Sequence, residues 1–218
     1  WSSDVCSSDL QVFNTRGHVR IKENNKHLIL LGDQFVSQNN QKESVLSGHA
    51  LVIETKQRDT LFLHADTLKM YEDSLQERVM MGYSHVRIFS KDAQAIADSA
   101  IYQSRVGSID LHKKPMLWSN NGELKGDTIR VELADSLIKS AIILGNASSV
   151  MQVDTGKLYN QLSGKRIDAW FKDGAMEKAK VSGQAWTIYY PMEEVKNDTI
   201  LERKRIGLNR LFASELIV

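Results

Sequence analysis

Leu63-His64-Ala65-Asp66-Thr67-Leu68-Lys69-Met70 is the phrase whose reading decides the fold, because the chain repeats it. It returns as Ile96-Ala97-Asp98-Ser99-Ala100-Ile101-Tyr102 and as Lys125-Gly126-Asp127-Thr128-Ile129-Arg130-Val131. A weaker copy, Leu31-Gly32-Asp33-Gln34-Phe35, precedes them, and Ser163-Gly164-Lys165-Arg166-Ile167-Asp168-Ala169 follows with Lys165 in the place of the Asp. The central positions 33, 66, 98, 127 and 165 lie 33, 32, 29 and 38 residues apart. A period of that size marks a repeat architecture, in which each unit buries its apolar face against the next.

One unit, Gly82 to Leu111, shows what repeats. Gly82 to Phe89 and Ser108 to His112 alternate apolar and polar residues, and Ala93 to Tyr102 carries small residues on one face. Period-two alternation means strand, since successive side chains point to opposite faces. Lys91-Asp92 and Gln103–Gly107 read as turns, and Asn120-Asn121-Gly122 and Lys172-Asp173-Gly174 as hairpin turns. A second echo starts at Gly48-His49-Ala50, Gly82-Tyr83-Ser84, Gly145-Asn146-Ala147 and Gly183-Gln184-Ala185. Glycine in these phrases suits a bulge or bend, and the Asp-Thr or Asp-Ser suits hydrogen bonds to local backbone where the strand kinks. Asp73 to Met81 has room for a helical turn or two, but its hairpin context argues against one.

Trp1–Leu10 does not belong to this pattern. It back-translates into a common sequencing-library adapter and is set aside as an artefact. The only cysteine, Cys6, lies in it, so the rest offers no disulfide framework, thiol nucleophile or cysteine metal site. Setting it aside removes Asp4 and Asp9 and no base, which moves the net charge from +1 to +3. Near-neutral, interspersed charge does not point to nucleic acid as a partner. No apolar run reaches the roughly 18 residues of a membrane-spanning helix. Residues 11–218 read as one elongated repeat-built domain, with Asp154–Asn160 a polar insertion, Glu193–Asn209 a charged connection, and Arg210–Val218 the opening of another unit. The expectation is a chain truncated at both ends, any signal peptide missing.

Taken in order, Asp59–Leu68, Val86-Arg87-Ile88-Phe89, Ala97-Asp98-Ser99, Pro115-Met116-Leu117-Trp118-Ser119, Leu124–Ile129, Phe171-Lys172-Asp173-Gly174 and Ile188-Tyr189-Tyr190-Pro191 resemble the OstA-like proteins, Bacteroidetes type, of the LptA/OstA periplasmic lipopolysaccharide-transport family. The resemblance spans about Gly17 to Val218. It implies an all-β fold, an elongated β-jellyroll or β-taco of stacked antiparallel strands in a V, whose interior groove carries lipopolysaccharide acyl chains. It also implies the periplasm as location. Lys165 in place of Asp and the long Glu193–Asn209 stretch depart from regular repetition.

Alternation assigns Leu61, Leu63, Leu68, Met70, Val86, Ile88, Ile109, Leu111, Trp118, Leu124, Ile129, Val131, Ile142, Leu144, Ile167 and Phe171 to the interior as candidate lipid-binding residues, with Ala100, Tyr102 and Ala169 beside them. The same residues would form a dry core in a closed sandwich. Burying one methylene is worth roughly 0.8 kcal/mol, so an acyl chain of about a dozen carbons gains on the order of 10 kcal/mol. Such a chain is passed between apolar surfaces, not released into water. Open edge strands at both ends would let the protein join itself or homologous partners head to tail.

Enzyme chemistry finds little support. His18, His27, His49, His64, His85 and His112 show no metal-ligand spacing with a carboxylate. There is no Gly-x-Ser-x-Gly, P-loop or Rossmann glycine pattern, and no cofactor is implied. Trp118, Trp170, Trp186, Tyr189 and Tyr190 could stack on sugars, but strand aromatics more commonly pack. A glycan-processing enzyme would need paired carboxylates in a cleft, and no pair stands out. The reading is therefore a non-enzymatic carrier or bridge that passes lipopolysaccharide toward the outer membrane; the alternative is a structural or adhesive β-solenoid with a closed, dry core.

Overall fold

The computed structural model describes residues 12–23, 27–38, 43–55, 60–72, 75, 77–119, 122–134, 137–153, 158–172, 175–197 and 200–218; of residues 194–203 only the backbone is described. The stretch read as adapter and the centres of both expected hairpin turns, 120–121 and 173–174, lie outside these residues. The described residues form strands, turns and bends and no helix. The strands are β1 Val12–Glu23, β2 Leu28–Gln38, β3 Glu43–Thr55, β4 Thr60–Glu72, β5 Arg78–Phe89, β6 Ala93–Gln103, β7 Ser108–His112 and β8 Met116–Ser119. They continue as β9 Gly122–Lys125, β10 Thr128–Ala134, β11 Leu137–Gln152, β12 Tyr159–Lys172, β13 Ala175–Tyr189, β14 Met192–Asn197, β15 Ile200–Arg205 and β16 Asn209–Ile217.

Fourteen of them form one antiparallel sheet in the order β1 to β7, β10 to β13, then β16. β8 and β9 lie off this path because β7 and β8 are two halves of one rung, and β9 and β10 of the next. β7 pairs with β10 and β8 with β9, so the pairings β6–β7–β10–β11–β9–β8 return to their start. That ring does not close the molecule. Each rung is bent at its middle, and every pairing joins halves on the same side of the bend. The result is a V of two arms. Arm I holds 12–16, 34–38, 43–47, 67–72, 78–83, 99–103, 108–112, 128–134, 137–144, 166–172, 175–182 and 215–217. Arm II holds the remaining halves, from 19–23 on β1 to 209–213 on β16.

The bend is the repeated phrase made structural. Alternate rungs turn the corner on two consecutive residues of positive φ: Gly17-His18, Gly48-His49, Ser84-His85, Lys113-Lys114, Gly145-Asn146 and Gly183-Gln184. Ser84-His85, not Gly82-Tyr83, is therefore the equivalent of Gly48-His49. The ladder slips at each of these points, as bulges require. At four of the six corners the neighbouring rung supplies the recurrent Asp. The Asp33 carboxylate meets His49 Nδ1 at 3.0 Å and Asp66 meets His85 Nδ1 at 2.7 Å. Lys113 Nζ donates to Asp98 at 2.8 Å, and Asn146 Nδ2 to Asp127 at 3.1 Å. The expected local backbone bonds are thus replaced by side-chain bonds to the neighbouring rung, because the positive-φ residue swings its side chain over the Asp. At the last corner Lys165 instead packs along Gly183. Gly164 in the phrase itself serves close approach: a Cβ there would meet Val181 at 2.7 Å.

Two segments differ from expectation. The charged connection read at Glu193–Asn209 holds paired strands: β14 and β15 pair over Met192↔Arg205 to Asn197↔Ile200 as a separate ribbon. The insertion read at Asp154–Asn160 is shorter, because Tyr159 already opens β12 and pairs with Gln152; residues 154–157 lie outside the described residues. Asp73–Met81 joins β4 to β5, with Arg78 opening a strand. The Arg210–Val218 strand pairs with β13 as a further rung.

Candidate functional site: the interior trough

The inner faces of the two arms meet in one apolar interior. Along arm I, Phe35, Leu46, Leu68, Gly82, Ala100, Leu111, Ile129, Ile143, Ile167 and Val181 are successive cross-strand neighbours. Along arm II, Leu30, Val52, Leu63, Ile88, Ala95, Leu117, Leu124, Ser149, Leu162 and Thr187 do the same. Nearly all are buried, Leu46, Leu68, Ile143, Ile167 and Val181 completely. Each fully buried Leu or Ile contributes roughly 1.5–3 kcal/mol. The two polar members are few, and Thr187 bonds Gln161 O at 2.9 Å.

Of the residues assigned inward by alternation, Leu63, Leu68, Met70, Val86, Ile88, Ile109, Leu111, Leu124, Ile129, Val131 and Ile167 are buried in this interior, and Leu61 and Phe171 pack partly buried against it. Three assignments are corrected. Ile142 and Leu144 lie on the outer face of arm I, Leu144 being 43 % exposed, because β11 enters its corner one residue out of phase with the reading and turns Ala141 and Ile143 inward. Trp118 lies on the outer face of arm II, where its Nε1 donates to Glu123 at 2.9 Å, while Leu117 is buried. Leu117, Ile143, Leu46, Val52 and Val181 are interior residues the pattern did not single out.

At the mouth of the V the arms part into two clefts. The first, about 50 Å³, lies between Leu61, Ile88, Ala93 and Leu117 of arm II and Ile109, Val131, Leu133 and Ile138 around arm I, with Tyr102 in its wall. The second, about 490 Å³, lies between Leu124, Ser149 and Met151 of arm II and Phe171, Ala175 and Met176 of arm I. Nearer the start of the chain, polar contacts cross the mouth instead. Arg78 Nη2 on arm I donates to Glu23 Oε2 on arm II at 2.9 Å. The Tyr102 hydroxyl donates to Glu54 Oε2 at 3.0 Å, and burial, then the Glu54 charge, pushes the Tyr102 phenol well above its ordinary pKa. These partners are offset by three or four rungs, β1 to β5 and β3 to β6, as twisted arms require.

Among the described residues no group of three or more His, Cys, Asp or Glu is placed to hold a metal ion. The exposed Asp–His pairs of the corners stand apart from the interior.

The comparisons with known proteins agree with this geometry. Residues 16–136 match the family LptA/(LptD N-terminal domain) LPS transport protein. Among solved structures the chain is similar to LptH of Pseudomonas aeruginosa, described as the LptA homologous periplasmic component of the conserved lipopolysaccharide transport device. That likeness has a TM-score of 0.50 at 14 % identity and covers 59 % of this chain and 97 % of that one, and it shows the fold. No curated protein matches the chain by sequence. The V of bent rungs, the apolar trough within it and the family match together place this chain in the LptA/LptD N-terminal domain family of lipopolysaccharide transport proteins.

Proposed function

We propose that this chain is a non-enzymatic carrier that holds lipopolysaccharide acyl chains in its trough and passes them through the periplasm toward the outer membrane. The observation that carries the reading is a continuous apolar interior, two arms thick, whose mouth parts into clefts where Leu, Ile, Phe and Met meet a rim of polar residues such as Asp92, Glu123 and Gln152. Hydrocarbon lying there exchanges water for apolar contact at roughly 0.8 kcal/mol per methylene, and it moves along the trough without leaving it. The proposed lipid contacts are the interior residues retained above, with Leu117, Leu133 and Ile143 added. Among the described residues β1 and β16 are the edge strands of the sheet, and their outer backbone groups could pair with a further rung, which supports head-to-tail joining to a second copy or a homologous partner.

Photo-crosslinking tests the reading. A crosslinker at Leu117, Ile129 or Leu133 should capture lipopolysaccharide, and one at the outward Ile142 should not. Capture at Ile142 equal to that at Ile129, or none at any interior position, would defeat it. The complete burial of Leu46, Leu68 and Ile143 favours a second reading, a dry structural solenoid. In that case bulk placed at Ala93, in the first cleft, would unfold the protein and not merely obstruct it.

A further inference from the structure

Carrying lipid does not require the mouth of the trough to be bridged by charge. We infer that the Glu23–Arg78 and Glu54–Tyr102 contacts form a latch that shuts the mouth over β1 to β3 and confines hydrocarbon to the trough beyond it, from Leu61 onward. The inference deepens the carrier reading and rests on it for its cargo.

The placement is specific. Glu23, Leu28 and Glu54 are cross-strand neighbours at the tip of arm II, on β1, β2 and β3. Arg78 and Tyr102 face them from the adjacent strands β5 and β6 of arm I. Leu28, between the two carboxylates on the sheet, is 1 % exposed. Glu54 pairs in register with Leu61, and Leu61 and Tyr102 both line the first cleft. The latch is therefore the end wall of that cleft.

The chemistry suits a seam that opens. Leu or Met at these tips would seal the mouth as well, since replacing a buried ion pair by packed apolar residues is commonly neutral or stabilising. An apolar seal, however, exposes hydrocarbon when it parts. A guanidinium, a phenol and two carboxylates take up water as they separate, so much of the loss is recovered by hydration. The Arg78 side chain is 14 % exposed and that of Glu23 41 %, so water reaches the pair from the Glu23 side.

The test uses thiol labelling of the full chain with Cys6→Ser as background. Leu28→Cys should react slowly with a maleimide. Adding Arg78→Met and Tyr102→Phe should speed it about tenfold, as expected for removing two hydrogen bonds that hold a local closure. Ile129→Cys, outside the latch, should stay slow in both. The swapped pair Glu23→Arg with Arg78→Glu should restore slow labelling at Leu28→Cys. An unchanged rate at Leu28→Cys, or equal acceleration at Ile129→Cys, overturns the latch. With purified lipopolysaccharide, a photo-crosslinker at Leu30 should capture lipid only in the opened variant, and one at Leu117 in both proteins. Capture at Leu30 in the intact protein also overturns it. Labelling that responds while Leu117 captures nothing upholds the latch and sinks the carrier reading instead.

Discussion

The first six strands and the rungs from β7 to β13 are built from one repeated phrase, yet their mouths differ. Over the first stretch the tips meet through Glu23–Arg78 and Glu54–Tyr102. Over the second, Leu133, Ile138, Phe171 and Met176 line clefts that widen from about 50 to about 490 Å³. Beyond Gly17-His18, the corners of both stretches are alike: two positive-φ residues and a polar side chain from the next rung. What the repeat encodes is the bend. How far the arms stand apart is decided at the tips, where the phrase has no say.

This contrast is open to measurement. The largest effect should come from truncating the closed interior. Leu68→Ala, at a fully buried position, should cost about 2–5 kcal/mol in urea unfolding, against about 1 kcal/mol for Leu133→Ala at the cleft. Equal losses would erase the distinction. Added bulk should follow the same division: Ala65→Trp, where nothing is exposed, should destabilise by about 1–3 kcal/mol or more, and Ala93→Trp by less than about 1 kcal/mol.

The latch should leave a mark in alkali. The Tyr102 phenol is held neutral in the fold, so its contribution is complete below its ordinary pKa of 10.0 and is lost as pH rises above it. Above that point stability should fall by roughly 1.4 kcal/mol per pH unit for this one group, and Tyr102→Phe should remove that component. A smaller difference sharpens the likeness of the corners. Gly145 has φ +69° and a Cβ would run into the Asp127 carboxylate, whereas Gly17 has φ +83° and open space around it. Alanine at Gly145 should therefore cost about 1 kcal/mol more than alanine at Gly17, read as a difference in melting temperature. Smallest of all, Asp66→Asn loosens an exposed pair with His85 and should change stability by no more than about 0.5 kcal/mol.

Much of this fold was legible because its repeated element is local. A phrase of alternating residues around Gly-Asp or Ala-Asp specifies a strand, its kink and its neighbour at once. The phase of individual strands was harder. Ala141-Ile142-Ile143-Leu144 and Met116-Leu117-Trp118 are apolar without interruption, so hydropathy carries no alternation there. Pairing decides instead: Ile143 is aligned with Ile129 and Ile167, and Leu117 with Ala95 and Leu124. The β14–β15 ribbon was invisible for the opposite reason. Its sequence, Met192–Asn197 and Ile200–Arg205, is mostly charged, so hydropathy shows no apolar period there. Cross-strand placement of opposite charge, such as Glu193 against Lys204, is the signal such a ribbon leaves. The latch was beyond reach because its partners lie 48 and 55 residues apart and belong to no shared motif.

The corners carry one more consequence. Since alternate rungs each fold on their own pair of residues, the described rungs share no single hinge about which the whole V could open or shut. Its cross-section is set place by place, like the ribs of a hull. A molecule bearing several tails of unequal length asks for that kind of container: narrow where one tail ends and broad where the others lie side by side.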